Sequence, residues 1–293
     1  MGETVGSRIR ADLVIIRHVT DTGPRPVDPI DRAHLTGTSR PSPPIYRYAP
    51  GGGLEPLVQR YWIPVWSVEE PQRQSTLQHP ACLVVVSNTY ARFYGVVRGL
   101  SSVTLEGTGW AVGTMLTPAA GSLLLDGPVT PVTDTYVDLD AVPALDAPTL
   151  VARVRAAMEP DPTDPGAHGV AIAEVERQLA PLLPLDPQGL LVNDVVTWLR
   201  DHPEVSRVGE VAEAFATSER TLQRLVLQRV GMTPKWLVQR RRLHDAVERL
   251  KAGTTSLAAM AAELGYADQA HFTQDFRTVT GMTPGRYLDD QPR

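Results

Sequence analysis

Two sets of side chains in the C-terminal third have the types and the spacing for recognition chemistry. Arg220, Gln223 and Arg224 form one set, and Gln269, Ala270, Thr273 and Gln274 the other. Arginine can donate to guanine O6 and N7 together, and glutamine can pair with adenine N6 and N7. Each set follows a residue able to cap a helix, Ser218 or Asp268, and precedes the same tetrapeptide. Gly231-Met-Thr-Pro234 recurs as Gly281-Met-Thr-Pro284, fifty positions on. The chemistry on offer is hydrogen bonding to base edges, with no bond made or broken.

The surrounding residues supply the elements that must position these groups. Val208, Val211, Ala212 and Phe215 fall at i, i+3, i+4 and i+7, one face of a short helix. Ala216 and Thr217 make a turn, and Ser218 can accept a backbone N–H of the next helix. In that helix Leu222, Leu225 and Val226 face inward, which leaves Arg220, Gln223 and Arg224 outward. Gly231 stops it by taking the left-handed conformation, and Thr233-Pro234 starts another with proline at the first helical position. The second copy repeats the pattern with Leu257, Met260, Ala261 and Leu264, then a turn one residue longer at Gly265–Ala267. Asp268 is its cap, and Phe272 and Phe276 face inward. A helix-turn-helix places its second helix in the DNA major groove, with base contacts near that helix's N-terminus. The alternative for either copy taken alone is a helical bundle with a solvated polar face.

Between the copies lies the helix pattern Pro234–Lys251. Trp236, Arg240, Leu243, Val247 and Leu250 mark one stripe, broken only by Arg240. Arg240, Arg241 and Arg242 form a basic cluster, readable as a solvated face or as phosphate contacts.

Residues 193–288 resemble the AraC-type DNA-binding domain. Ser218-Glu-Arg-Thr-Leu-Gln-Arg-Leu225, Gly265-Tyr-Ala-Asp-Gln-Ala-His-Phe272 and both Gly-Met-Thr-Pro segments carry the resemblance. It implies two helix-turn-helix units joined by one long helix, reading neighbouring major grooves of double-stranded DNA. The base-contacting roles fall on Arg220, Gln223 and Arg224 in the first unit and on Gln269, Ala270, Thr273 and Gln274 in the second. Val226 departs from the pattern, since an aromatic is usual there. The whole chain then reads as a bacterial transcription regulator, most often an activator in this family and so a partner of RNA polymerase.

A length of 293 residues allows two domains, and 42% hydrophobic with 21% charged residues is globular. The net charge of −5 at first argues against nucleic acid, but the charge is divided. Residues 206–293 hold 13 Lys/Arg and 10 Asp/Glu, a balance of +3 that leaves −8 for the rest. No apolar run approaches the roughly 18 residues of a membrane span, and the N-terminus has no signal-peptide pattern. The single cysteine, Cys82, lies in an apolar run and excludes a disulfide framework. A cytoplasmic protein without cofactor or metal is expected.

The remaining chain divides into three parts. Residues 1–43 read as a largely irregular extension, with one strand-like run at Ala11–Arg17 and with His18 and His34 as surface histidines. Residues 44–140 read as β-rich, with runs at Leu57–Trp66, Ser75–Gln78, Cys82–Asn88, Arg92–Val97, Ser102–Glu106, Gly109–Leu116 and Val132–Leu139, as in a sandwich or barrel. Residues 141–185 read as a helical linker and dimerisation region, with a hinge at Pro160–Gly166. The DNA-binding part is assigned to residues 186–293, and the fold class to α+β.

The β-rich stretch resembles the domain ahead of some AraC-type regulators, in Leu54–Trp62 and around Gly109-Trp-Ala-Val-Gly113. This implies a regulatory, cupin-like domain. Trp62, Trp66, Tyr94 and Trp110 are its candidate pocket for a small apolar effector, against the alternative that they are core. A second alternative gives this domain only a protein partner or a homodimer to bind. A third makes it an enzyme tethered to a DNA-binding module. Against that third reading, only His79 lies in the strand-rich region, no Ser-His-Asp or Cys-His set is spaced for catalysis, and Gly51-Gly-Gly53 lacks the Lys-Ser/Thr of a phosphate loop.

Overall fold

The computed structural model describes residues 43–253 and 256–289. The readings of Ala11–Arg17, His18 and His34 lie outside the described residues. Six strands form the β half: β1 Ile45–Tyr48, β2 Val58–Thr76, β3 Leu83–Ser87, β4 Ala91–Tyr94, β5 Ser101–Leu116 and β6 Tyr136–Asp138. They make one sheet in the order β1-β2-β5-β3-β4-β6, antiparallel throughout. Among the described residues this is the one sheet of the barrel- or sandwich-like β half, and helices pack on its buried face.

Two pairs of expected strands are each one long strand. The β2–β5 ladder shifts register between Val68 and Gln72, opposite Gly107 at φ 55°. Pro71 lies in that irregular stretch, where a missing N–H breaks no ladder bond. Gly107, which falls between the expected runs Ser102–Glu106 and Gly109–Leu116, marks a bulge within a ribbon and not a break between strands.

Successive side chains alternate faces along a strand. The register therefore sets Tyr61, Ile63, Val84, Val86, Phe93, Val112 and Leu116 on one face, and all are buried. Four helices lie between β5 and residue 201, α1 Ala120–Leu124, α2 Ala147–Met158, α3 Pro165–Leu179 and α4 Pro187–Asp201, and the last packs against helices of the C-terminal part. Helix α3 begins within the stretch expected to be a hinge. Asp164 accepts the N–H groups of Gly166 and Ala167, and Pro165 takes the first helical position.

Six further helices follow: α5 Val208–Ala214, α6 Glu219–Val230, α7 Pro234–Lys251, α8 Leu257–Glu263, α9 Gln269–Thr280 and α10 Pro284–Asp289. The buried core does not stop at the sheet. One cluster runs from Leu57, Phe93 and Leu116 through Leu150, Val175 and Val195 to Leu222, Val226, Leu237 and Val238. A second joins Leu243, Val247, Phe272, Phe276 and Tyr287 with Leu77, the residue after β2. Helix α4 joins the two halves: Asn193 donates to the Pro56 carbonyl and accepts the Ala119 N–H, both at 2.9 Å, and Asp186 at its start pairs with Arg229.

The basic cluster on α7 is the main correction to the sequence reading. Arg240, Arg241 and Arg242 are only 2%, 8% and 8% exposed, so they are not placed for phosphate contact. Arg240 Nη2 donates to the carbonyls of Val97, Arg98 and Gly99 at 2.7, 2.6 and 3.3 Å, and its guanidinium lies 4.6 Å from the Trp236 ring centre. Arg241 donates to the Val205 carbonyl and to Asp245. Arg242 donates to the Leu264 and Gly265 carbonyls and stacks on Tyr266. Next to Arg240, the His79 ring stacks on His244 at 4.5 Å. Burial pushes the Arg240 pKa down to about 10, and Asp134 and Asp275 oppose the fall, so the side chain stays charged near neutrality.

Removing that cation strands three carbonyls on the β half. Arg240→Ala is expected to cost ~2–4 kcal/mol, read as a lower urea midpoint. Arg240→Lys keeps the charge but not the planar fork, and should recover only part of the loss. An unchanged midpoint for Arg240→Ala would contradict this account of the joint.

Candidate nucleic-acid interface

The first unit is built from α5, a turn and α6. Glu210 accepts the N–H groups of Ser206 and Arg207, each at 2.9 Å, and these bonds hold its carboxyl below the usual range. Ala216, at φ 47°, makes the turn. Ser218 Oγ accepts the Thr221 N–H at 3.1 Å and starts α6. In the second unit Ser256 caps α8, and Asp268 Oδ1 accepts the His271 N–H at 2.7 Å to start α9. Gly231 and Gly281 end the two reading helices at φ 78° and 77°.

These caps fix which way each helix faces. Leu222, Leu225, Val226, Phe272 and Phe276 are buried. Arg220, Gln223, Arg224, Gln269, Ala270 and Gln274 are exposed, and Thr273 is half-buried. Each set is thus presented on the outer face of its reading helix. Valine at 226 still fills a buried position, so the smaller side chain leaves the unit's core intact.

The four aromatic residues expected to share a pocket are divided by the sheet. Trp62 pairs with Gly113 and Trp66 with Gly109, so both rings lie on the face opposite the core, and a Cβ on either glycine would overlap them. Register places Tyr94 on that same face, 5.5 Å from Tyr136, with Arg92 over the Tyr136 ring at 4.0 Å. Trp110 pairs with Val65 on the other face and is only 6% exposed in the main core. The parity of Trp110 against Gly109 and Gly113 separates it from the other three. Among the described residues, no group of three or more His, Cys, Asp and Glu could hold a metal ion. None of the described helices is long and apolar enough to cross a membrane.

Residues 211–290 match the helix-turn-helix domain family, and residues 46–138 match a domain of unknown function, DUF6597. The HTH-type transcriptional activator RhaS of Escherichia fergusonii is 36% identical over 94 residues, covering 32% of this chain and 34% of the relative. RhaS of Pectobacterium carotovorum subsp. carotovorum is 33% identical over the same shares. The C-terminal end is an AraC-type helix-turn-helix domain. The chain spans about a third of the length of the curated relatives it matches. Among solved structures, the C-terminal domain of AraT, a response regulator from Geobacillus stearothermophilus, is 25% identical. It covers 36% of this chain and 86% of its own, with a TM-score of 0.33. ToxT from Vibrio cholerae O395 is 11% identical and covers 84% of this chain and 96% of its own, with a TM-score of 0.38.

The β half holds the two units of the AraC-type domain in different ways. At the end of α6, the Val129 N–H donates to the Gln228 carbonyl at 3.0 Å. Thr130 and Thr133 donate to the carbonyls of Leu227 and Gly231. Arg229, not singled out from the sequence, is buried and donates to Ser122 and Asp186. Its signal was its place three residues after Val226 on the inward face of α6. The second unit meets the β half through apolar contacts of Leu77 and Leu100.

The matched glycines turn this difference into an internal control. A Cβ at Gly281 meets nothing within 4 Å, so Gly281→Ala should cost only the left-handed strain, ~1–2 kcal/mol. A Cβ at Gly231 lies 2.6 Å from Thr133 Oγ1 and 3.2 Å from Val129 Cγ1. Gly231→Ala is therefore expected to cost ~1–3 kcal/mol more in denaturant unfolding, from overpacking. Adding Thr133→Ala should recover part of the excess. Equal costs for the two glycines would remove the steric basis of this contact.

Proposed function

We propose that the chain is a sequence-specific DNA-binding transcription regulator, most simply an activator that engages RNA polymerase. The AraC-type domain reads two neighbouring major grooves through the N-terminal turns of α6 and α9. The observation that carries this reading is the doubled unit: two capped helices on one long helix, each with base-edge donors or acceptors on its outer face, Arg220, Gln223 and Arg224 on one and Gln269 and Gln274 on the other. The relatives over this stretch bear the name of transcriptional activators, which supports the same conclusion. The function is binding, without a chemical step.

The β half modulates that binding. A small effector with an apolar body would meet the face of Trp62, Trp66 and Tyr94. Tyr94 ends β4, whose chain runs on to the Val97–Gly99 carbonyls that hold Arg240. Tyr136 begins β6, directly after the Thr133 and Asp134 segment that meets Gly231 and Arg98. A ligand on this face therefore has a short route to both α6 and α7, a few residues of chain followed by hydrogen bonds. The second reading, in which this half only binds a protein partner or a second copy, is favoured by its hydrogen bonds to α6 and α7, which give it a holding role without any ligand.

The two reading helices should contribute unequally. Arg220 and Arg224 bring charge as well as bidentate reach, whereas Gln269, Ala270, Thr273 and Gln274 bring none. On a site selected from random DNA, Arg224→Ala is expected to cost more affinity than Gln274→Ala, within about 1–3 kcal/mol per lost bidentate contact. Arg224→Ala should relax a G·C preference in one half of the site. Gln274→Ala should act on the other half and leave the salt dependence nearly unchanged. Titration against base-substituted sites at two salt concentrations checks this. A larger loss for Gln274→Ala, or effects of both variants on the same base pairs, would overturn the two-groove assignment.

A further inference from the structure

A cleft of ≈ 420 Å³ opens between the two reading units, and the recognition residues do not line it. Its walls include Arg207 and Glu219 from the first unit, Lys235, Gln239 and Arg242 from α7, and His271 from the second. Glu219 is the first residue of α6 and His271 the third of α9. The cleft is therefore bounded by the same two N-terminal turns that enter successive major grooves in the reading above, on which this inference rests. What separates two successive major grooves along one face of a duplex is a minor groove bordered by two sugar-phosphate strands. A surface that bridges the two turns must face those phosphates.

The charge of the cleft suits that partner. Arg207, Lys235 and Arg242 oppose only Glu219 among the acidic and basic lining residues, in a chain whose net charge is −5. Arg242 is buried, and its guanidinium donates to the Leu264 and Gly265 carbonyls, which carry no charge to cancel it. It is a fixed positive wall that acts through its field rather than by touching a ligand. Arg207 is shared with Glu210 at 3.2 Å. Lys235 is exposed near the start of α7, a compact ammonium on a flexible stem suited to a phosphate oxygen.

We propose that this cleft seats the DNA backbone between the two reading sites, with Lys235 as its principal phosphate contact. The phosphate role that the sequence suggested for Arg240, Arg241 and Arg242 thus passes to the rim above them. Because phosphates carry no base identity, the contact sets register and salt dependence and leaves sequence preference alone.

The test uses the full-length chain and a site it selects from random DNA. Lys235→Gln should weaken binding to that site and to a scrambled duplex by the same factor, and lower the slope of log K against log salt by about 0.9. Arg153→Gln removes the same charge from an exposed position on α2, and should leave the slope unchanged. Ethylation of single phosphates should block wild-type binding at positions between the two base-reading blocks. An unaltered slope in Lys235→Gln, an equal change in Arg153→Gln, or an absence of ethylation interference between the blocks would each overturn the proposal. If Lys235→Gln does not fold, the ethylation pattern of the wild type decides alone. Failure to select any site would sink the DNA-binding reading itself, whereas a bipartite site with an unaltered slope sinks only the cleft.

Discussion

A guanidinium out of water is the constraint around which this molecule is arranged. Taking an ion from water into protein costs several kcal/mol, and the cost is offset only where its donors are satisfied with good geometry. Arg240 meets that condition in part: its Nη2 donates to the carbonyls of Val97, Arg98 and Gly99 and its guanidinium lies on the face of Trp236, while Nε and Nη1 are buried without a hydrogen-bond partner. The acceptors belong to the segment between β4 and β5, while the donor belongs to the helix that joins the two reading units. Arg98 in turn pairs with Asp134, beside Thr133, which bonds Gly231 at the end of α6. One buried charge therefore ties the sheet to the middle of α7, and its neighbours tie the sheet to the first reading helix.

That tie makes the two units unlike each other despite their repeated sequence. The first is held by hydrogen bonds and by the Arg229 contacts with Ser122 and Asp186. The second meets the β half through the apolar contacts of Leu77 and Leu100. Hydrogen bonds fix an orientation, while apolar packing tolerates small rotations. Under the proposed function, the first unit is the one whose presentation the β half controls most directly.

Local signals in the sequence identified the reading units well. Ser218, Asp268, Gly231 and Gly281 act through their own backbones, so their roles need no knowledge of the rest of the chain. The same holds for the inward set Leu222, Leu225, Phe272 and Phe276, which follows from helical period alone. Arg240 was half legible, because it falls in the stripe of Trp236, Leu243, Val247 and Leu250. Its charge argued for solvent, and its acceptors lie more than 140 residues away. Trp110 was lost for a different reason: parity within one strand cannot be compared with Trp62 and Trp66 until the register between strands is known. Gly107 looked like a turn because a bulge uses the same residue types, and Ala120–Leu124 is too short to show a helical period.

The account stands on the claim that α6 and α9 read separate, neighbouring grooves while the β half stays attached. Selection of bound sites from random DNA with the full-length protein tests it most directly. The expected result is a motif of two blocks whose centres lie about 10 base pairs apart, one helical turn. A single compact block, or no enrichment over the starting pool, would contradict it.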